Sequence, residues 1–578
     1  MTNTLLKTLA LVAFLAVGAN AHAIPARSQW STYYRADGSK VSAMLVGDEH
    51  YHYYITRDQQ PLQMNADGRL DVARVDGHVA SLGDVEQARR TAMKAAAKNL
   101  PQPTGAYTGK RKGLIILVDF PDQQFYNATT NDPQKLYSRI ANEVGYSDND
   151  HIGSVHDYFL AQSYGKFDLT FDVVGPIRMK HTVSYYGQNS SQRNDVNVSE
   201  MIAEAISGAS SQVSFKDYDW DGDGKVDQVF VLYAGYGEAT GGPSTTVWPH
   251  ESSLQGSVTA QGLSFYTYAC GNELMTYYYG RGNIKRSKEV NMGIGVICHE
   301  FSHCLGIPDM YDTQYTGNPG TSSWDVMCSG SYNGPKGIGE VPPSYTSYER
   351  NMAGWLNFTT LGNQAVDVKG MKPISDTQAT AYKIVNPARP TEYFLLENRN
   401  ISGWDAYVGY NNLTQYLANS GLLVLHVDYN ATLWNYNIIN SVVDGYNDHQ
   451  RMSILSASGT QGASEDRDTY PLGSFNSISE KVNQGFTLFN ANYDGSKTLH
   501  AAVNDITVQS DGTVDFSYVP DPKLAQSTAI SAVETAAAPT AYYRLDGSLA
   551  GHNFTTLPNG LYVTRQASGK MVKVLKKK

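Results

Sequence analysis

His299, Glu300 and His303 form an H-E-x-x-H pattern, residue types that can hold a metal ion and move a proton. Four residues of α-helix turn through about 400°, so the two histidines project from one face on successive turns. A neutral imidazole is a good zinc ligand, and two on one face can grip a single ion. Glu300 lies about 100° further round the helix. That sets it beside the ion rather than on it, where it can take a proton from water. Gly306 lets the helix stop and the chain turn, and Pro308 prevents its continuation. Asp309 is thereby returned toward the histidines as the candidate third ligand. Three protein ligands leave a fourth position for water, as in catalytic rather than structural zinc sites.

These residues need a scaffold. The stretch SKEVNMGIGVICHEFSHCLGI predicts the helix, with Val290, Ile294, Ile297 and Phe301 on its buried face. Upstream, GLIILVDF (113–120) and QVFVLYAGYG (228–237) are continuous apolar runs that predict buried strands. SVHDYFLAQSYG and DVNVSEMIAEAISGA predict helices, which gives a mixed α/β layout of a twisted sheet with helices packed on it. Just before the second strand, DWDGDGKVD places Asp219, Asp221, Asp223 and Asp227 at alternating positions around two glycines. Hard oxygen ligands in a glycine-kinked loop suit calcium, with the Lys225 carbonyl as a further ligand. Phe230 stands where an EF-hand carries its glutamate, so another segment or water must complete the shell. Beyond Trp355 the runs YFLLENRN, GLLVLHVDY and RMSILSAS predict short strands in a β-sandwich-like region. His426 and Asp428 there read as paired polar residues at a strand edge, and Asp466 and Asp468 form a weaker calcium candidate.

The 578-residue chain is long enough for several domains. A net charge of −10 with 45 Lys plus Arg argues against nucleic acid as a main partner. Residues 1–23 read as a secretory signal peptide: Lys7, an apolar run from Leu9 to Val17, then small residues at Ala19, Ala21 and Ala23. Cleavage after Ala21 or after Ala23 is equally defensible. No other segment is apolar enough to span a bilayer, so the mature chain is expected to have no transmembrane segment. Residues 24–105 read as a prosegment ending in VEQARRTAMKAAAKNL and a PQPTG linker. It contains no cysteine, so a prosegment thiolate cannot block a metal, and steric cover or a carboxylate must do so. The remaining divisions are a zinc peptidase domain at 106–360, a β-rich domain associated with it at 361–520, a small-residue linker at 521–540 and a small β-rich tail at 541–578. Cys270, Cys298, Cys304 and Cys328 all fall near the histidine motif, and export permits disulfides without fixing a pairing.

At HEFSHCLGIPD the chain resembles the metzincin clan, and within it the immune inhibitor A-like secreted bacterial metallopeptidases, whose motif is H-E-x-x-H-x-x-G-x-P-D. The likeness continues through KGLIILVDF, DYFLAQSYGKF, DWDGDGKVD, VWPHES, SSWDVMCSGSYNG, RNMAGWL, EYFLLENR and GLLVLHVD. It implies that His299, His303 and Asp309 bind zinc, that Glu300 is the general base, and that Met327 is the methionine of a turn beneath the metal. A carboxylate third ligand lowers the charge of the site and makes its water less acidic than three histidines would. Where some metzincins carry a tyrosine two residues after the methionine, this chain has Ser329, which leaves Tyr332 as the candidate oxyanion partner. The tail, LPNGLYV…GKMVKVLKKK, resembles C-terminal segments of secreted Bacteroidetes proteins, which implies type nine secretion and surface attachment. The expectation is a multidomain α+β protein, a secreted zinc endopeptidase made as a zymogen, with extracellular proteins as substrates. The rival is a surface adhesin with a vestigial zinc site.

Overall fold

The computed structural model describes most of residues 21–522, apart from short stretches of which 89–106, 280–285 and 411–416 are the longest, and parts of 542–576. Most of the signal sequence, the end of the prosegment with its linker, and nearly all of the 521–540 linker lie outside the described residues.

An eight-stranded sheet organises the central region. Its main path is β1 (Ala21–His22), β5 (His250–Ala260), β6 (Leu263–Tyr279), β4 (Phe230–Tyr236), β2 (Gly109–Asp119) and β3 (Phe167–Arg178); β7 (Arg286–Asn291) and the short strand Lys225–Val226 also pair with β6. β3, β2, β4 and β6 run parallel, and β5 is antiparallel to β6 with β1 outside it at the edge. The apolar runs in β2 and β4 follow from burial on both faces. Ile115, Leu117, Phe230 and Leu232 join one core, whereas Leu114, Ile116, Val118, Val231 and Tyr233 join another, because successive strand residues point to opposite sides. Helices α1 (Pro133–Asn142) and α2 (Val155–Gln162) cover the first face and α3 (Val198–Ala209) the second. Asp132 caps α1 by accepting from the Lys135 amide, and Ser154 with Asp157 forms a reciprocal capping box on α2.

The motif helix, α4, spans Gly295–Cys304 and is shorter than its apolar spacing predicts. Val290 belongs instead to β7, where it pairs with Met275 of β6. The change from strand to helix occurs where the backbone is pressed against a neighbouring loop. A Cβ on Gly293 would lie 2.2 Å from the Gly339 carbonyl carbon, and one on Gly295 would lie 2.0 Å from the Ser331 carbonyl oxygen. The ladder and that close approach override helical periodicity. Ile294, Ile297 and Phe301 do face the core.

Downstream, Phe358–Thr360, Ala381–Val385, Glu392–Arg399, Gly421–Asp428 and Met452–Ile454 form a five-stranded sheet, and Val366–Met371, Val514–Val519 and Ala502–Val508 a three-stranded one. Their facing sides share an apolar cluster that includes Phe394, Val424, Val503 and Phe516. The other side of the five-stranded sheet, through Leu395, Leu423, Leu425 and Val427, joins the core that contains α4. Residues 31–72 form a separate five-stranded sheet docked on the central region through Leu45, Tyr54 and Leu62, which cluster with Trp248, Met275 and Val296. The tail forms a four-stranded sheet, Tyr542–Tyr543, Leu549–Gly551, Gly560–Arg565 and Met571–Lys576. Among the described residues no helix is long and apolar enough to cross a membrane.

Candidate metal centre

His299 and His303 present their rings on successive turns of α4 and are completely buried. Each ring is fixed by a backbone carbonyl: His299 Nδ1 lies 2.7 Å from the Val326 oxygen and His303 Nδ1 lies 2.8 Å from the Ile307 oxygen. With Nδ1 as the donor, Nε2 of each ring carries its lone pair into the site. The two Nε2 atoms are 3.2 Å apart, and Asp309 Oδ1 lies 3.2 Å from that of His299 and 3.4 Å from that of His303. Two zinc–ligand bonds of about 2.0–2.1 Å at a tetrahedral angle put their ligand atoms about 3.3 Å apart. The cluster therefore has the donor set and spacing for one such ion, and these three residues form one of two metal-competent groups among the described residues. Burial opposes the charge on Asp309, yet the neighbouring His303 and His299 hold its carboxyl well below the usual carboxylate range.

Asp309 reaches the site because Gly306 adopts φ 76° directly after the helix, which lets the chain double back. Its position is then fixed from far along the chain. The Asn437 carboxamide accepts from the Asp309 amide at 2.7 Å and donates to Asp309 Oδ2 at 2.5 Å. Met327 is wholly buried; its amide donates to Asp325 Oδ1 at 2.9 Å and its carbonyl accepts from the Met310 amide at 2.8 Å. Under this turn sits a buried ion cluster. Arg399 reaches Asp405 at 2.7 Å, Glu397 at 3.0 Å and the Trp324 carbonyl at 3.0 Å, tying the turn to the downstream five-stranded sheet.

Glu300 is buried on the same helix, and its Oε1 accepts from the Ile24 amide at 2.8 Å. The N-terminal segment thus enters the centre itself. β1 pairs antiparallel with β5, Ala21 opposite Ser252 and His22 opposite Glu251. The Trp248 indole N–H donates to the Ile24 carbonyl at 3.1 Å, and the Tyr332 hydroxyl donates to the Pro25 carbonyl at 2.9 Å. The Ile24 backbone thus lies against Glu300. Sequence reasoning missed Asn437, Trp248 and Ile24, and it selected Tyr332 for a different partner from the one it meets here. Glu251 on β5 is another buried acid beside the site; burial, with the Asp309 charge adding, pushes its pKa up to about 8.

The second metal-competent group comprises Asp219, Asp221 and Asp227. Gly222 (φ 78°) and Gly224 (φ 85°) supply the left-handed turns that wrap the loop. Asp223 is engaged elsewhere: it accepts from the Lys225 amide at 2.8 Å and from Lys225 Nζ at 2.7 Å. His426 pairs with Glu392 at 3.0 Å, and Asp428 with Arg451 at 2.5 Å and His449 at 3.1 Å, so both act as polar pairs in the sheet. Asp468 accepts from the Trp324 indole N–H at 3.0 Å. All four cysteines are free thiols.

The region that carries this centre is similar to known metallopeptidases. Residues 103–358 match the immune inhibitor A peptidase M6 catalytic domain. The chain is 27% identical over 298 residues to the pre-pro-metalloprotease PrtV of Vibrio cholerae serotype O1 (strain M66-2), covering 45% of this chain and 32% of that protein. It is 25% identical over 301 residues to immune inhibitor A of Bacillus thuringiensis subsp. alesti, covering 44% and 43% respectively. The chain therefore spans about a third to under half of the curated relatives it matches. A metallopeptidase family implies a metal, typically zinc, and the His299–His303–Asp309 donor set fits one. Residues 103–358, which carry that donor set, are thus similar to the catalytic domain of the immune inhibitor A peptidase M6 family.

Proposed function

We propose that this chain is a secreted, zinc-dependent endopeptidase of metzincin-like design, made as a zymogen and acting on extracellular proteins. The observation that carries this reading is the convergence of His299 Nε2, His303 Nε2 and Asp309 Oδ1 with Glu300 alongside. His299, His303 and Asp309 would hold zinc, which would supply a Lewis acid for the scissile carbonyl and lower the pKa of water there. Glu300 takes the proton from the attacking water and passes it to the departing amine. The amine side of that role is supported by Ile24, whose backbone nitrogen already sits 2.8 Å from Glu300 Oε1. The edge strand β5 receives substrate as an added antiparallel strand, in the manner that β1 adopts.

Latency follows from the same contacts. Ile24 and Pro25 lie against Glu300, Trp248 and Tyr332, so removal of the N-terminal segment frees all three. The segment from 361 to 520 is read as a β-sandwich-like domain that also braces the centre through Asn437 and Arg399. Asp219, Asp221 and Asp227 are read as a structural calcium site. Glu300→Gln tests the mechanism: it should retain one zinc per chain yet lose casein cleavage by several orders of magnitude. A zinc-loaded variant that cleaves at near wild-type rate would remove Glu300 from the chemistry.

A further inference from the structure

The N-terminal segment meets the metal centre through the backbone of Ile24 and Pro25. It runs antiparallel to β5 through Ala21 and His22, then places the Ile24 nitrogen on Glu300. Ile24 and Pro25 thus lie where the amine side of a scissile bond would lie. On the amine side two side-chain donors meet two consecutive carbonyls: Trp248 Nε1–H meets that of Ile24 and the Tyr332 hydroxyl that of Pro25. The donors come from different walls of the groove. Trp248 lies just ahead of β5, and Tyr332 closes the turn that follows Met327. Successive carbonyls of an extended chain point to opposite sides, so a pair of donors on opposing walls is what an extended peptide requires. Trp248 is wholly buried, and a buried indole N–H needs an acceptor. Once the N-terminal segment has left, a peptide that replaces it can supply that acceptor in place of water.

We infer that Trp248 and Tyr332 are positioning residues that bind the first and second substrate carbonyls beyond the cleaved bond, so that efficient substrates extend at least two residues past it. This rests on the peptidase reading above. It assigns Tyr332 to substrate backbone on the amine side rather than to the oxyanion. It also accounts for cleavage within chains rather than at their C-terminal residue, since a substrate ending one residue past the bond forfeits the Tyr332 contact.

The test uses the full chain, zinc-loaded and activated by limited proteolysis, with two peptides identical up to an isoleucine directly after the scissile bond. One ends there as the amide, and the other carries one further residue before its amide. For the wild type, lengthening should raise kcat/KM by about 10-fold, the range expected for one added hydrogen bond together with its packing. In Tyr332→Phe that gain should shrink to about 2-fold, and Trp248→Phe should lower kcat/KM by about 5- to 10-fold on both peptides. A purely structural role for Tyr332 would lower both rates without changing the length gain, and one for Trp248 would leave unchanged the wild-type penalty for replacing the terminal isoleucine amide by 2-methylbutylamine, which lacks the carbonyl. If Tyr332→Phe shows the wild-type length gain while both enzymes cleave, the assignment is overturned and the peptidase reading stands. If zinc-loaded wild type cleaves neither peptide nor casein, the peptidase reading falls and takes this assignment with it.

Discussion

Asn437 holds Asp309 with both ends of its carboxamide, although 128 residues separate them. Its oxygen accepts from the Asp309 amide and its nitrogen donates to Oδ2, which leaves Oδ1 turned toward the two imidazoles. A ligand carboxylate held in this way is pre-oriented, and loss of such a partner usually costs 10- to 100-fold in metal affinity. Asn437→Ala is therefore expected to weaken zinc binding by about 10- to 100-fold in competition with a chromophoric chelator, with activity recovering at high zinc. Unchanged affinity would mean that the turn at Gly306 positions Asp309 unaided.

The parts of the centre that could be read from sequence are those whose geometry is local. His299, Glu300, His303 and Asp309 fit within one helix and one turn, so helical period and the conformational habits of Gly306 and Pro308 suffice to bring them together. Asn437, Trp248 and Ile24 meet the centre only through tertiary packing, and no spacing rule marks them. The start of α4 was misjudged because Val290 suits a helical stripe, but backbone pairing with Met275 claims it for the sheet. Helix α1 passed unnoticed even though Asp132 followed by Pro133 is a recognisable start signal. Asp223 occupies a calcium-ligand position by spacing, yet Lys225, two residues on, takes its carboxylate.

That capture separates the members of the acidic loop. If Asp219, Asp221 and Asp227 hold calcium, adding the ion to chelator-treated protein should raise the unfolding midpoint, by an amount equivalent to about 2.7 kcal/mol at a hundredfold excess over Kd. Asp219→Ala should abolish that rise. Asp223→Ala should reduce it less, since its carboxylate faces Lys225. A wild-type midpoint indifferent to calcium would make the loop a self-satisfied turn, in which Asp219 serves the Gly222, Asp223 and Gly224 amides.

Arg399 offers a test of how the downstream sheet braces the methionine turn. Its guanidinium is fully buried and serves Glu397, Asp405 and the Trp324 carbonyl together. Removing one member of such a cluster strands the others, which typically costs about 3–5 kcal/mol. Arg399→Met should lower the free energy of unfolding in urea by that amount and loosen the turn that carries Met327. A loss below about 1 kcal/mol would mean that the Ser347 and Ser344 amides, which also donate to Glu397 and Asp405, satisfy the carboxylates alone.

His52 sits where the N-terminal sheet meets the central region. Its Nε2 lies 3.4 Å from Glu238, its Nδ1 lies 3.1 Å from the Asp48 carbonyl, and its ring packs on Trp248 at 4.6 Å. Burial pushes the imidazole pKa down, but Glu238, with the Asp48 carbonyl and the Asp195 charge adding, reverses this and leaves it above the ordinary 6.5. The docked segment therefore holds a proton that the released segment gives up near 6.5. Docking has its full support below that pH and loses it as pH rises through the higher docked value. The unprocessed chain should accordingly leak activity as pH rises: its rate on a short peptide, divided by the rate of activated enzyme at the same pH, should climb above about pH 6.5. In His52→Gln the ratio should start higher and stay flat. A flat ratio in the wild type would show that the His52–Glu238 pair contributes nothing to holding the segment over Glu300.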